Sequence, residues 1–160
     1  MEHVLLAGSA VWNRLFKRNI FDRIRFPAGR VNDDEVTALH AYAECGKILF
    51  LDHDTYYYRI RQNSITTSKF SLRNMDCYYN SMDNLAFVRE KMPGLEAAGE
   101  YKYIKSMLYC YVNLKRMKRE PEVKELLERL HRDIRDNRSA ALSNRYVSLP
   151  LKALMLLSAI

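Results

Sequence analysis

Hydrophobic and polar residues follow different periods in residues 1–70 and in residues 71–160. The second region carries apolar side chains at steps of three and four, the spacing that places them on one face of an α-helix. Met92-Pro93-Gly94 interrupts this pattern, and Pro121 and Pro150 stand where further helices begin. We therefore expect a C-terminal bundle of three to four helices.

Residues 1–70 hold shorter segments that are richer in Gly, Pro and aromatic residues. A helix is predicted over residues 33–44, because its first residues are acidic and acids favour the positive end of a helix. Residues 47–51 and 55–60 contain the β-branched and aromatic residues typical of strands, and residues 52–54 suit a turn between them. The predicted fold class is α+β, predominantly α, with a short β-hairpin and a flanking helix in the N-terminal part.

Size and charge restrict the function classes. A chain of 160 residues is long enough for one domain with a sizeable core. The net charge of +7 favours anionic partners, such as nucleic acid, phosphorylated metabolites or acidic lipid. The cysteines, Cys45, Cys77 and Cys110, form no C-x-x-C pair, so the sequence indicates a reducing cytosol and neither a disulfide framework nor a zinc site. The sequence predicts no export signal and no membrane-spanning stretch.

Two segments have both a structural and a chemical interpretation. The carboxylates of Asp33, Asp34 and Glu35 can stabilise the first turn of a helix, or one of them can act as a general base. Residues 56–65 interleave tyrosines with arginines, a pattern that fits an exposed strand and also an anion or sugar site. Composition favours the structural interpretation of both segments.

The order of these pieces is more informative than any one of them. Three blocks resemble the second half of bacterial family 2 glycosyltransferases, which carry a W-x-K/R-L segment, an F-p-x-G-x-x-x-E-D segment and a Y-y-Y-R-x-R-x-x-S-I segment. The resemblance covers roughly residues 8–70. The matching residues here are Val11 to Arg18, Ile24 to Arg30 with Asp33 to Glu35, and Tyr57 to Arg59 with Asn63 to Ile65.

The resemblance implies a fold, an activity and a set of site residues. It implies the acceptor side of a GT-A fold in residues 1–70, followed by a helical region in residues 71–160. Asp34 matches the family's catalytic base, which deprotonates the acceptor hydroxyl, and Asp33 replaces the family's usual glutamate. The implied substrate-binding residues are Trp12, Arg14, Asp33, Arg59 and Arg61.

The implied reaction transfers a sugar from a nucleotide-sugar donor to a cell-surface polysaccharide or a lipid-linked acceptor. By this resemblance, the family's N-terminal nucleotide-binding half, with its D-x-D metal motif, is expected to lie outside these 160 residues. We therefore expect no cofactor in this chain, a divalent metal ion (Mg or Mn) only together with that half, and no activity for the isolated 160 residues.

Three expectations concern partners and location. Residues 148–160 can lie on the inner face of an anionic membrane or pack on their own domain, and packing is the favoured alternative. An uncovered hairpin edge predicts a homodimer in the cytoplasm. The rival function is a non-catalytic basic helical module that binds nucleic acid or a protein partner, although the chain has no recognised nucleic-acid-binding motif, so nucleic acid is not expected.

Overall fold

A computed structural model describes residues 2–6, 10–60, 62, 64 and 67–158, and the regular secondary structure in these ranges is helical. The α-helices are α1 (Glu2–Leu6), α2 (Asp34–Ala43), α3 (Asp76–Lys91), α4 (Glu96–Leu114), α5 (Pro121–Asp136), α6 (Arg138–Ser143) and α7 (Leu149–Ser158). Short 3₁₀ turns occupy Arg18–Asp22, Leu72–Met75 and Pro93–Leu95.

Helix α4 is the centre of the helical region, because it packs against α1, α3, α5, α6 and α7. Gly99 allows a close approach to α3: a Cβ atom at this position would lie 3.3 Å from Leu85 Cδ1. The core between these helices is made of large apolar side chains that are removed from water almost completely. They include Tyr78, Ile104, Met107, Leu108, Leu114, Leu130, Ile134 and Met155.

The predicted C-terminal helices are confirmed. A short 3₁₀ turn at Pro93–Leu95 separates α3 from α4, where the sequence shows Met92-Pro93-Gly94. Pro121 occupies the first position of α5, where its missing N–H leaves no hydrogen bond unmade. The predicted apolar stripe of α5 is buried at Val123, Leu127, Leu130 and Ile134. Helices α1 and α6 were not predicted from the sequence.

The predicted β-hairpin is wrong. Residues 47–60 form no strand, and this exposed segment leaves Leu49, Phe50 and Leu51 at 71%, 71% and 73% exposure. A two-stranded hairpin is marginally stable by itself, because it needs a third strand or an apolar surface to cover one face. Within the described residues, neither a third strand nor an apolar surface covers this segment, so its β propensity does not lead to a strand. The fold described is therefore helical and not α+β.

The front of the chain is attached to the bundle through α2, which packs against α3. The ring of His40 on α2 stacks on Phe87 of α3, with 4.0 Å between ring centroids. Ala38 and Tyr42 form a small buried cluster on α2, partly covered by Val11, Phe16 and Ile48. Contacts therefore cross the predicted division between residues 1–70 and 71–160, which itself stays a prediction.

Helix α7 packs on its own domain. It contacts α4, α5 and α6, with Met155 and Ser158 buried, whereas Leu149 and Leu157 remain exposed. Within the part of the chain that the structure describes, no helix is both long enough and apolar enough to span a membrane. Contact of residues 148–160 with a membrane surface stays a prediction.

Candidate functional site

The loop of residues 29–33 leads into α2 and sets the position of the acidic cluster. Gly29 and Asn32 both have left-handed backbones, with φ of 81° and 57°, which turn the chain sharply. The Glu35 N–H then donates to the Asn32 carbonyl at 3.1 Å, and the Thr37 N–H and hydroxyl donate to the Asp33 carbonyl at 3.2 and 3.0 Å. This turn leaves Asp33 at the N-cap and Asp34 at the first residue of α2.

Asp34 is half-buried, and burial raises the pKa of its carboxyl group. The negative charge of Asp33 raises this pKa further, because two nearby carboxylates resist joint ionisation. The backbone N–H groups of Asp34 and Glu35 and the positive charge of Arg14 act in the opposite direction. The result is a carboxylate that binds a proton more readily than a fully solvated aspartate does.

Asp33 and Asp34 differ in their structural roles. Asp33 has helical backbone angles and makes no side-chain cap hydrogen bond, so it does not act as a capping residue. Asp34 and Glu35 lie in the first turn of α2, where their charges also favour the helix dipole. The structural and chemical interpretations of this cluster are therefore compatible for Asp34.

Arg14 connects the first sequence block to the acidic cluster. Its guanidinium Cζ lies 5.4 Å from the centroid of the Tyr42 ring, a cation–π arrangement in the last turn of α2. Burial raises the pKa of the Tyr42 hydroxyl, and the Arg14 charge opposes that rise. The charge of Arg14 therefore affects both Asp34 and Tyr42, and its assignment as a substrate-binding residue stays a prediction.

Lys102 of α4 is a further charged group near this cluster. Burial lowers the pKa of its amino group, while the negative charges of Glu35 and Asp34 raise it and the charges of Lys105 and Arg14 lower it. Sequence reasoning missed Lys102, because one lysine between two tyrosines in an apolar helix gives no signal of its own.

Trp12 joins the first sequence block to the third. Its ring centroid lies 4.4 Å from that of Tyr56 and 5.1 Å from that of Tyr58, and these three residues form the aromatic cluster. Each ring is about half exposed, at 46%, 51% and 50%, so part of each ring faces solvent. Arg59 is exposed and makes no hydrogen bond or ion pair among the described residues. Arg61 lies outside the described residues.

A polar face on α3 holds the 29–33 loop in place. This α3 polar face consists of Asp76, Asn80, Asp83 and Asn84, which recur at helical spacing. All four side chains hydrogen-bond to residues 30–35. The repeat of Asp and Asn along one helix face is a sequence signal that could have revealed these contacts, and sequence reasoning missed it.

A separate cavity of about 640 Å³ lies between α3, α4 and the α5–α6 junction. Its lining includes Met82, Arg89, Tyr103 and Asn137. With about 100° of rotation per residue, Met82 and Arg89 fall on the side of α3 opposite Asn80. This cavity therefore contains none of the candidate site residues.

Basic residues occur in both parts of the chain. Residues 14–30 contain six Lys and Arg and one Asp, whereas α5 contains four basic and five acidic residues. Residues 71–160 nevertheless hold sixteen Lys and Arg against eleven Asp and Glu, and residues 1–70 hold ten against eight. The net charge therefore does not by itself discriminate against a basic helical module.

The comparisons with known proteins identify partial relatives. The chain is 37% identical over 59 residues to glycosyltransferase GlyG of Streptococcus pneumoniae serotype 4, a match that covers 37% of this chain and 20% of GlyG. It is 30% identical over 57 residues to glycosyltransferase GlyA of the same organism, covering 36% of this chain and 8% of GlyA. Part of this chain is related to glycosyltransferases. The matches span a fifth or less of the length of these relatives, and no protein-family model and no solved structure matches the chain.

Proposed function

We propose that this chain is the acceptor-side, C-terminal portion of a family 2 glycosyltransferase of the GT-A type. The complete enzyme transfers a sugar from a nucleoside diphosphate donor to a hydroxyl group of a cell-surface polysaccharide or lipid-linked acceptor. The Asp34 carboxylate takes the proton of this hydroxyl while its oxygen bonds to the anomeric carbon and the nucleoside diphosphate leaves. The relationship to GlyG and GlyA supports glycosyl transfer as the reaction class.

The observation that carries the proposal is the link that the first sequence block makes to each of the other two. The Trp12 ring contacts the rings of Tyr56 and Tyr58, and the charge of Arg14, two residues further along the chain, lowers the pKa of Asp34. One short segment thus interacts with both the aromatic cluster and the candidate base. This arrangement supports exposed aromatic rings for a sugar and a carboxylate for its hydroxyl as parts of one site.

The electrostatics of Asp34 suit a general base. A base works best when its pKa lies near the working pH, and burial moves the pKa of Asp34 upward. The positive charge of Arg14 opposes this upward shift and favours the ionised form, which is the form that accepts a proton. Asp33 contributes charge to this balance, and we propose that it also borders the acceptor.

The donor side is proposed to lie outside these 160 residues. Within the described ranges, no group of three or more His, Cys, Asp or Glu side chains is placed to hold a metal ion. We propose that a Mg or Mn ion binds only together with the other half, and no step is assigned to one held by this chain. We propose that Arg59 and Arg61 face the sugar or the diphosphate of a donor bound by the other half.

The test is sugar transfer by the longest protein that carries this segment, using labelled nucleotide sugars and bacterial glycan acceptors. Asp34→Asn is expected to lower kcat by about 10²–10⁴-fold, since it removes the proton acceptor while keeping the shape. Asp33→Asn is the matched control, because it removes the neighbouring charge and leaves Asp34, and its loss of kcat is expected to be smaller.

Two results would contradict the proposal. Equal losses of kcat in the two variants would remove Asp34 from the role of base. Product formation by the purified 160 residues would contradict the view that the donor side lies elsewhere.

A further inference from the structure

The side chain of Asn80 directs all of its hydrogen bonds at the loop that precedes the candidate base. It is completely buried on α3. Its amide nitrogen donates to the carbonyls of Val31 and Asn32, both at 3.0 Å. Its amide oxygen accepts a hydrogen bond from Arg30 Nη1, also at 3.0 Å. One buried side chain therefore contacts three consecutive loop residues.

This burial has a clear physical consequence. A buried amide costs free energy unless it is hydrogen-bonded, and an apolar residue would be the more stable choice on a helix face with no such partners. The Val31 carbonyl needs a donor, because the left-handed turn at Asn32 removes it from regular structure, whereas the Asn32 carbonyl also accepts from the Glu35 N–H. Asn80 donates to both carbonyls and fixes the loop against α3.

The rest of the α3 polar face brackets Asp34 on both sides. Asp76 Oδ2 accepts from the Val31 N–H at 2.8 Å, three residues before Asp34. Asn84 Nδ2 donates to the Glu35 carbonyl at 3.2 Å, one residue after it. The backbone on either side of the candidate base is thus bound to a single rigid helix.

We propose that Asn80 is a positioning residue for the carboxylate of Asp34. This inference rests on the proposed function, since it assigns Asn80 to the same reaction. Asn80 touches no substrate: it acts by fixing the 29–33 loop, whose geometry determines where α2 begins and where its first side chain points. A displacement of about 1 Å in a catalytic group can lower turnover by about 100-fold.

The first measurement is carboxyl NMR titration of Asp34 in the 160-residue chain. The charged and titratable groups that interact with Asp34 include Asp33, Arg14, Tyr42 and Lys102, together with the helix N–H groups, and all of these remain in the variant Asn80→Leu. We expect the Asp34 titration midpoint to fall toward that of a solvated aspartate in this variant, because the released loop exposes the carboxyl group to water. An unchanged midpoint would overturn the proposal.

Ser81→Ala is the matched control. Ser81 is also buried on α3, but its hydroxyl donates to the Tyr78 carbonyl of the same helix at 2.8 Å and so holds no part of the loop. We expect Ser81→Ala to keep the Asp34 midpoint of the unmodified chain. If Asn80→Leu does not fold, Asp76→Ala removes one loop contact and is expected to move the midpoint in the same direction by less; no movement would overturn the proposal.

The second measurement separates this proposal from the proposed function. In the longest active protein, we expect Asn80→Leu to lower kcat by about 100-fold below its melting temperature, with KM for the nucleotide sugar unchanged within about threefold. Ser81→Ala is expected to keep kcat. A full kcat in Asn80→Leu, while Asp34→Asn is inactive, overturns the positioning role alone. A shifted midpoint with transfer unaffected by Asp34→Asn overturns the proposed function and leaves Asn80 as the residue that places this carboxylate.

Discussion

Two segments of the front half, the 29–33 loop and the exposed segment of residues 47–60, differ in how many contacts they make with the rest of the molecule. The loop has no strong propensity of its own, yet the α3 polar face binds it at residues 30–32. The exposed segment has strong β propensity, yet it forms no strand and most of its side chains lie in solvent. Specific polar partners decide local structure here more than propensity does.

The comparison also shows which of the candidate site residues lie on firmly held backbone. Asp34 follows the bound loop directly, whereas Tyr56 and Tyr58 belong to the exposed segment and are held by their stacking on Trp12. Stacked aromatic pairs contribute about 0.5–1.5 kcal/mol beyond the area they bury. Several hydrogen bonds therefore hold the backbone on both sides of Asp34, whereas fewer and weaker ring contacts hold the aromatic cluster.

The largest expected effect is on the left-handed turn of the loop. Asn32→Val places a β-branched residue at φ 57°, where such residues are strongly disfavoured. We expect the free energy of unfolding to fall by about 1–2 kcal/mol in urea denaturation. Asn32→Gly is the control, because glycine adopts this backbone freely, and it should keep the stability of the unmodified chain. Equal stability of the Val and Gly variants would show that the loop is not held in this turn.

A smaller effect is expected from the charge of Asp34. Burial raises the pKa of this carboxyl group above its unfolded value near 4, so the ionised form disfavours folding. The loss of stability begins as pH rises through the unfolded pKa and is complete above the folded pKa. Asp34→Asn is therefore expected to melt at a higher temperature than the unmodified chain at pH 7 and at the same temperature below about pH 3.

The control for this pH series is Asp52→Asn on the exposed segment, where the side chain lies in solvent. A surface substitution of this kind should change the free energy of unfolding by no more than about 0.5 kcal/mol. A lower melting temperature for Asp34→Asn at pH 7 would mean that the charge of Asp34 stabilises the fold, against the expected sign.

The smallest effect on stability is expected in the exposed segment. The double variant Leu49→Ser with Phe50→Ser replaces side chains that are already 71% exposed, so the free energy of unfolding should stay within about 0.5 kcal/mol. Self-association should decrease, because these apolar side chains are the ones a second copy would cover. Sedimentation velocity over a wide concentration range measures this: a homodimer that dissociates in the variant is expected, and a monomer for the unmodified chain at every concentration would contradict the prediction.

Helical periodicity predicted the second half of the chain because its elements carry their own signals. The break at Met92-Pro93-Gly94, the start at Pro121 and the stripe from Val123 to Ile134 all depend on residues close in sequence. The prediction of strands at residues 47–60 was wrong for the opposite reason. A strand depends on a partner that local sequence does not contain, and the described residues provide none.

The candidate site was only partly predictable. The order of the sequence blocks pointed to Trp12, Arg14 and Asp34, and their roles stay predictions; the structure shows Trp12 in contact with Tyr56 and the charge of Arg14 lowering the pKa of Asp34. Asn80 and Lys102 were not predicted, because their interactions involve residues that are far away in the sequence. Asn80, for example, lies 49 positions from Val31, whose carbonyl it binds.

The hydrogen bonds between the 29–33 loop and α3 have a consequence for how this segment can be transferred between proteins. An acidic block transplanted into another scaffold without residues 76–84 would lose the helix that shapes it. Natural gene exchange or laboratory grafting should therefore preserve the front segment and the first turns of α3 as one inherited module.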